Sequence, residues 1–276
     1  MKPLVSIILP FFNAEKTLEQ AVQSVLDQAY DHWELWCIND GSSDGSLQIV
    51  EQYSDPRIHL ITQTNAGVSA ARNRGLQSMT GDFFCFLDAD DQLLPNSLEA
   101  RLPLFDDPEV EFVDGAVQLF SDDNGKDLAV NSRSFSGNPF EALLSLDESC
   151  FFGPTWMIRR REGKTYQFKE GLTHSEDLLF YLSISSSGEY RSIPSPVYRY
   201  RTGNVSAMSD LGKLDRGYQE VANELASWKH VSDSALAQFK KKTTSIMSKS
   251  YIKGGQLQAG IKRWLRKQAL TQNDDI

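Results

Sequence analysis

Residues 82–91 read DFFCFLDADD, an apolar run that ends in a cluster of acids. The run 83–87 is apolar and uninterrupted, as expected for a β-strand that is buried on both faces of a sheet. Asp88, Asp90 and Asp91 follow, and burying several carboxylates at a strand end costs free energy unless a cation neutralises them. Carboxylates are preferred ligands of Mg²⁺ and Mn²⁺, which also bind diphosphate oxygens. A solvated acidic turn would have the same composition, but the strand before it favours a metal-binding loop.

The segments before this strand alternate between β-rich and helical patterns. Apolar, β-rich runs lie at 4–9, 33–38 and 58–61, and helical patterns separate them. This alternation predicts an α/β fold with a doubly wound, mostly parallel sheet flanked by helices. In such sheets, ligands bind beyond the carboxyl ends of the strands. From about residue 211 only helical patterns remain, which predicts a helical C-terminal extension.

Two further polar segments lie where a ligand of such a sheet would bind. Residues 39–46 (NDGSSDGS) follow the second strand, and Asp40 can accept a hydrogen bond from a base or a ribose. Residues 65–75 (NAGVSAARNRG) enter a helix of small residues, with Arg72 in an early turn where a phosphate would sit. Each segment taken alone also fits an ordinary turn or a solvated arginine.

A fourth cluster, residues 174–177 (HSED), directly precedes an amphipathic helix in the second half of the chain. Glu176 and Asp177 fit the first turn of that helix, where acids stabilise the helix dipole. The same position also suits a general base. For His174, a structural or acceptor-side role is favoured over contact with a metal.

Charge is distributed unevenly along the chain. The net charge is −9, yet residues 229–267 contain ten Lys or Arg residues against one acid. The acidic body would repel phosphate backbones, so we expect no nucleic acid partner. Apolar residues recur at helical spacing within the basic end, so we expect residues 235–267 to associate with an anionic membrane surface. A helix packed on the body, or a homodimer contact, would give the same pattern.

Other features predict a cytoplasmic protein, attached at most to the inner face of the membrane. No apolar run reaches the roughly 20 residues that a membrane-spanning helix needs. The N-terminal apolar stretch is short, is interrupted by Pro10, and lacks the small-residue cleavage site of a signal peptide. The three cysteines have neither paired nor metal-binding spacing, which suits a reducing compartment.

Taken together, the clusters resemble family 2 inverting glycosyltransferases with the GT-A fold. The matching segments are SIILPFFNAE at 6–15, INDGSSDGS at 38–46, NAGVSAARNRG at 65–75 and FLDADD at 86–91. A later Glu-Asp pair and a terminal Tyr-Arg…Ser pattern also resemble that family, and they lie at Glu176, Asp177, Tyr198, Arg199 and Ser206. The resemblance covers about residues 3–207.

The resemblance implies a role for each matched residue of the donor half, residues 1–95. Those that would frame or bind the nucleotide are Pro10, Phe11, Glu15, Asp40, Arg72 and Asp88. Asp90, assisted by Asp88, would bind Mn²⁺ or Mg²⁺, and Asp91 would lie near the donor sugar in the catalytic centre. Asn39 stands where the family often has an acid, and we expect little effect because Asp40 is the binding position.

In the acceptor half, residues 96–210, the resemblance implies that Asp177 is the catalytic base, supported by Glu176. The reaction would be a single displacement with inversion. A sugar would move from a nucleotide-diphosphate-sugar to a hydroxyl of a glycan or lipid-linked acceptor, in cell-surface polysaccharide synthesis. UDP is the favoured nucleotide, and dTDP and GDP stay open. Residues 211–276 form the helical extension, which lies outside the resemblance.

Two other functions fit some of these features. A phosphatase of the haloacid dehalogenase type also has D-x-D after an apolar strand, but its motif wants Thr or Val where this chain has Gln92. A non-catalytic protein that binds nucleotide-sugars would keep the donor residues, and the presence of Asp88, Asp90 and Asp177 together argues against it. The chain has neither a P-loop nor GxGxxG after its first strand, which argues against the enzymes that those motifs define.

Overall fold

One mixed sheet organises the molecule. The computed structural model describes residues 2–150, 153–172, 174–203, 210–256 and Arg263. The strands are β1 (Val5–Phe11), β2 (Trp33–Asn39), β3 (Ile58–Thr62), β4 (Phe83–Phe86), β5 (Gln92–Leu93), β6 (Val110–Ser121), β7 (Asp127–Asn131), β8 (Met157–Arg159) and β9 (Glu189–Thr202). The helices are α1 (Leu18–Leu26), α2 (Ser46–Glu51), α3 (Val68–Ser78), α4 (Ser97–Arg101), α5 (Phe140–Leu144), α6 (Glu176–Ile184), α7 (Leu211–Leu225) and α8 (Asp233–Lys253). The strand order is β3-β2-β1-β4-β8-β6-β9-β5, and β7 also pairs with β6.

The first four strands form the parallel half of the sheet, in the order β3-β2-β1-β4. Every residue of β1 and β4 is buried, because helices cover both faces of a parallel sheet. Successive side chains point to opposite faces, so Ile8 and Phe84 enter one core while Ile7 and Cys85 enter the other. The predicted α/β fold is therefore confirmed, and the carboxyl ends of these strands meet at one edge.

Beyond β4 the sheet is mixed rather than mostly parallel. β8 lies antiparallel between β4 and β6, and β6 pairs in parallel with β9. The sequence does not predict β5, β7 or β8. β5 and β8 contain two and three residues, and β7 is exposed over most of its length, so none of them has a periodic apolar signal.

Two hydrophobic cores cover the two faces of the sheet. One core includes apolar residues of α1, α2 and α4. The other includes residues of α3, α5 and α6, and the predicted C-terminal helices join it through Val221 of α7 and Phe239 of α8. Among the described residues, no helix has both the length and the hydropathy to cross a bilayer.

Helix α3 approaches β1 very closely, as its small residues predict. A Cβ at Gly75 would lie 2.4 Å from Cγ2 of Ile8, a separation that real Cβ atoms do not adopt. This contact places the start of α3, and with it Arg72, above the carboxyl end of the parallel strands.

Candidate active site

The acid loop, residues 88–91, begins where β4 and the following Leu87 reach the carboxyl edge of the sheet. A turn closes it, in which the Asp91 N–H donates to the Asp88 carbonyl at 3.1 Å. The Asp88 N–H donates to the hydroxyl of Tyr198 on β9, also at 3.1 Å. The loop is therefore held between the parallel half of the sheet and its last long strand.

Arg72 joins the acid loop to the Glu-Asp pair of α6. Its guanidinium donates to Asp88 at 2.8 Å and to Glu176 at 2.8 Å, and the residue is only 3% exposed. Burial alone would lower the pKa of Arg72, but the charges of Asp88 and Glu176 outweigh burial and raise it. Arg72 and Glu176 are 104 positions apart in sequence, so one buried cation connects distant parts of the chain.

Asp90 and Asp91 lie in a surplus of negative charge. Burial, followed by the charge of Asp88, raises the pKa of both side chains, and the pKa of Asp91 rises well above its ordinary value. In the described part of the chain, no Lys or Arg side chain forms an ion pair with Asp90; Arg201 instead donates to its backbone carbonyl at 2.7 Å. A cation bound at Asp90 would relieve this repulsion.

The donor set around Asp90 fits a divalent cation that has further ligands of its own. Asp88 and Asp90 supply carboxylate oxygens, the type of ligand that Mg²⁺ and Mn²⁺ prefer. Within the described ranges, no group of three or more His, Cys, Asp or Glu residues is arranged to hold a metal. Diphosphate oxygens and water would therefore have to complete the coordination.

Asp91 anchors the acid loop to β9. It is 2% exposed, and its Oδ1 accepts from the Arg201 N–H at 2.8 Å. The Tyr198 hydroxyl also hydrogen-bonds to Asp91. These contacts give the carboxylate a structural role, and its expected position near a donor sugar stays a prediction.

Glu176 and Asp177 are the first two residues of α6. The preceding Ser175 adopts a left-handed conformation with φ of 61°, which a residue other than Gly rarely adopts. The Asp177 Oδ1 accepts from the Leu178 N–H at 2.7 Å. Burial and the charge of Glu176 raise the pKa of Asp177 to about 7, which is close to the value that suits a general base at neutral pH.

A cavity of about 700 Å³ opens beside the acid loop, and the segment after β1 forms its other wall. Of the residues expected to frame a nucleoside, Pro10, Phe11 and Glu15 all line it. The ring of Phe11 belongs mainly to the core, whereas the neighbouring Phe12 is 51% exposed within the cavity. Phe12 is therefore the aromatic side chain available for stacking. Phe12 follows directly after β1, whose residues are all buried, and no pattern in the sequence shows which way it turns.

Asp40 is 3% exposed at the end of β2. Its carboxylate accepts from the backbone N–H groups of Ala66 and Gly67 at 2.9 and 2.8 Å, and from Gln63 at 2.7 Å. Three of its roughly four lone-pair positions are thus filled, and one remains for a ligand. Asp40 organises the loop before α3, and it does not line the cavity beside the acid loop.

Arg201 was not predicted from the sequence. Its guanidinium donates to Asp90, to Asp122 at 2.9 Å and to Gln20 at 2.8 Å, and it lines the cavity. The nearby Tyr-Arg pattern on β9 could have drawn attention to Arg201. Of that pattern, Tyr198 contacts the acid loop, whereas Arg199 forms an ion pair with Asp127. Ser206, the last residue of that pattern, lies outside the described residues.

His174 is buried behind the Glu-Asp pair. Its backbone lies against Gly217 of α7, and it is not among the lining residues of the 700 Å³ cavity. The structural or acceptor-side role expected for His174 stays a prediction.

The fold and site define the class of this protein. The architecture is that of GT-A-like proteins, and the chain superposes on S. aureus TarS 1-349 with a TM-score of 0.68, at 19% identity, over 90% of this chain and 73% of that one. It also superposes on a Pyrobaculum calidifontis mannosyltransferase in complex with GDP-Man and Mn²⁺, with a TM-score of 0.65, at 16% identity, over 98% and 76% of the two chains.

The chain belongs to glycosyl transferase family 2, whose model matches residues 6–164. Over 200 residues it is 32% identical to the putative teichuronic acid biosynthesis glycosyltransferase TuaG of Bacillus subtilis, covering 68% of this chain and 74% of that protein. Over 193 residues it is 32% identical to the UDP-Glc:alpha-D-GlcNAc-diphosphoundecaprenol beta-1,3-glucosyltransferase WfgD of Escherichia coli, covering 69% and 73%. It spans 34% of the length of an uncharacterized Rickettsia bellii glycosyltransferase, at 28% identity.

We expect Asp177→Asn to change how the stability of the fold depends on pH. The pKa of Asp177 is about 7 in the folded protein and ordinarily 3.8. The folded chain therefore keeps a proton that the unfolded chain loses, so this group lowers the free energy of unfolding as pH rises between those two values. Asparagine has no such titration.

Urea unfolding at about pH 5 and about pH 8 measures this effect. The free energy of unfolding should fall less between these two pH values in the variant than in wild type. The variant should therefore be most stabilised, relative to wild type, at about pH 8. Identical pH dependence of the two proteins would contradict the raised pKa.

Proposed function

We propose that this chain is an inverting, metal-dependent glycosyltransferase that moves a sugar from a UDP-sugar to a hydroxyl of a glycan or lipid-linked acceptor. The observation that supports it most is the buried ion pair of Arg72 with both Asp88 and Glu176. Through that pair, the acid loop and the Glu-Asp pair of α6 form one site at the carboxyl edge of the sheet. A donor diphosphate and an acceptor hydroxyl could meet there.

The donor would occupy the 700 Å³ cavity, within the half formed by residues 1–95. Phe12 offers its exposed face to a base, next to Pro10 and Glu15. Asp40 does not line this cavity, and it would support the donor indirectly by holding the loop before α3 in place. The nucleotide is proposed to be UDP because the E. coli relative is named for UDP-Glc, and TarS 1-349 has been crystallised in complex with UDP-GlcNAc.

Asp88 and Asp90 would hold the metal, Mn²⁺ or Mg²⁺. When bound, it would neutralise negative charge on the departing diphosphate. Arg72 pairs with Asp88, and Arg201 donates to the backbone carbonyl of Asp90. Asp91 anchors the loop to β9. Among the described contacts, the Asp90 carboxylate pairs with no Lys or Arg side chain, so it is available to a metal on the cavity side.

Asp177 would act as the base, with Glu176 and Arg72 fixing its surroundings. It accepts the proton of the acceptor hydroxyl as that oxygen bonds to the anomeric carbon. The bond from this carbon to the diphosphate oxygen breaks in the same step. Attack opposite to the leaving group inverts the anomeric centre, and the transition state resembles an oxocarbenium ion.

The acceptor would enter from residues 96–210 through a second cavity, of about 880 Å³. Its walls come from the end of β7, from the loop after α5 and from the C-terminal helices. Serine, asparagine and acidic side chains line much of it, as suits a hydroxyl-rich ligand: Asn131, Ser132, Ser134, Asp147, Glu148 and Ser149. The names of the B. subtilis and E. coli relatives support a cell-surface glycan or a lipid-diphosphate acceptor.

Asp177→Asn should retain donor binding and lose sugar transfer. Removing a general base lowers the rate on the order of 10²–10⁴-fold. Release of UDP from UDP-glucose, with Mn²⁺ and GlcNAc-diphosphoundecaprenol as acceptor, measures the reaction. Asp233→Asn is the matched control, because Asp233 is also a first-turn acid, in α8. Transfer by Asp177→Asn at the wild-type rate would refute the base, and metal-dependent UDP binding without any transfer by wild type would favour a non-catalytic binding protein.

Asp90→Ala should remove the contribution of the metal to UDP affinity. Loss of a metal-site residue costs about tenfold or more in metal affinity. Calorimetry of UDP binding, with Mn²⁺ and with EDTA, separates the two contributions: the variant and wild type should differ only when Mn²⁺ is present. Asp106→Ala, at an exposed acid outside the site, is the control. An equal gain from Mn²⁺ in all three proteins would refute the metal site.

The same proposal includes peripheral association with the inner face of a membrane, through residues 235–267. Lys242, Lys249 and Lys253 of α8 are exposed, as is Ile252. Each lysine close to an anionic surface contributes about 1 kcal/mol of binding free energy. Most of the amphipathic pattern after residue 256 lies outside the described residues. Arg263, which is described, pairs with Asp215 of α7 rather than facing outward.

Replacement of Lys242, Lys249 and Lys253 by Gln in the full chain should weaken co-sedimentation with vesicles that contain phosphatidylglycerol. The expected loss is about tenfold or more, because three favourable charges are removed. Replacing Lys2, Lys126 and Lys213 by Gln changes net charge equally at other sites and should have little effect. Equal binding by both triple variants, or none by wild type, would refute this surface.

A further inference from the structure

Helix α7 contacts the loop that carries the Glu-Asp pair so closely that only glycine fits. A Cβ at Gly217 would lie 2.5 Å from the carbonyl oxygen of His174, and 3.0 Å from its carbonyl carbon and its Cβ. Gly217 is buried in the middle of α7, where glycine costs about 1 kcal/mol relative to alanine. The contact with His174 explains why a residue that weakens the helix stands there.

The backbone of His174 determines where Asp177 lies. Ser175 follows in its left-handed conformation, and its carbonyl accepts the first hydrogen bond of α6, from the Leu179 N–H at 3.1 Å. Ser175 is thus the single residue between His174, which contacts Gly217, and the start of the helix that holds Glu176 and Asp177. Any displacement of the His174 carbonyl is therefore passed on to the carboxylate of Asp177.

The next residue of α7, Tyr218, reaches towards the same carboxylate. It is partly buried, and burial together with the charge of Asp177 raises the pKa of Tyr218. Tyr218 also lines the 880 Å³ cavity. Tyr218 is thus a residue of α7 that lines the cavity proposed for the acceptor and is affected by the charge of Asp177.

We propose that α7 is a positioning element of the active site: Gly217 sets the position of the loop that carries Asp177, and Tyr218 covers Asp177 at the acceptor cavity. This inference rests on the proposed role of Asp177 as the base. It assigns a function to the C-terminal helices, which lie beyond the residues that match the family model. Their seating on the hydrophobic core, through Val221 and Phe239, would then align the base as well as stabilise the fold.

Several charged or titratable groups face Asp177 from the elements around it. They are Glu176 and Tyr181 on α6, Arg72 on α3, Asp88 in the acid loop and Tyr218 on α7. Tyr218 differs from the others because it is the contribution of α7. Its removal would hydrate Asp177 without removing any of the charges.

Two glycine-to-alanine variants in α7 test the proposal. Gly217→Ala should lower kcat about ten- to a hundredfold, since small misplacement of a reacting group has effects of this size, while UDP affinity with Mn²⁺ stays unchanged. Gly212→Ala is the matched control: among the described atoms, the nearest to its Cβ would be an Asp210 oxygen at 3.4 Å, an ordinary contact. It should transfer sugar as wild type does and be slightly more stable.

A second pair of variants decides the matter even if Gly217→Ala does not fold. Tyr218→Ala should lower the pKa of Asp177 by hydrating it, so the acidic limb of the kcat profile should move to lower pH and kcat should fall. Tyr218→Phe keeps the ring and should restore both properties. The proposal is overturned if Gly217→Ala retains wild-type kcat, or if Tyr218→Ala matches wild type in kcat and in pH profile. Asp177→Asn, assayed in parallel, distinguishes failure of the proposed base from failure of the proposed role of α7. If Asp177→Asn transfers sugar normally, Asp177 is not the base. If Asp177→Asn is inactive while the α7 variants are fully active, only the role of α7 is refuted.

Discussion

One buried guanidinium holds the site together. Arg72 is almost fully removed from water, and a cation in that position is stable only because two carboxylates pair with it. Those carboxylates come from two different parts of the fold: Asp88 belongs to the loop after β4, and Glu176 is the first residue of α6. A single side chain therefore joins the acid loop to the α6 acids, and Gly75 in turn lets α3, which carries Arg72, pack closely against β1.

The remaining acids show how the fold divides negative charge between structure and chemistry. Asp91 is turned inward and held by β9, Asp88 is neutralised by Arg72, and Asp90 faces the cavity without a protein cation. The three acids of the acid loop thus lie in three different environments. Burial and mutual repulsion keep Asp90 at high free energy, which is the condition under which binding of a cation is most favourable.

Much of this arrangement was accessible from the sequence, and the reasons for the exceptions are physical. The buried parallel strands have long apolar runs, and the acids at their ends are local signals, so β1 to β4 and the acid loop could be predicted. β5 and β8 are too short to show a period, and β7 is too exposed. Arg201 acquires its role from partners on α1, after β6 and in the acid loop, which no local pattern joins. The sequence also could not show that Asp91 is buried, or that Phe12 rather than Phe11 is exposed, because both depend on the direction of the chain after a strand ends.

The close fit between Gly75 and Ile8 has a consequence for engineering. Because the Ile8 side chain fills the space beside Gly75, α3 and β1 fit each other closely, and the two elements should be exchanged between homologues together with Arg72. The rim of the larger cavity is built from β7 and the loop after α5, and its described lining does not include Gly75 or Ile8. Chimeras that exchange this rim between boundaries after β6 and before β8 would leave Arg72 and both of its carboxylate partners unchanged, so they would show whether the rim sets the preference for an acceptor.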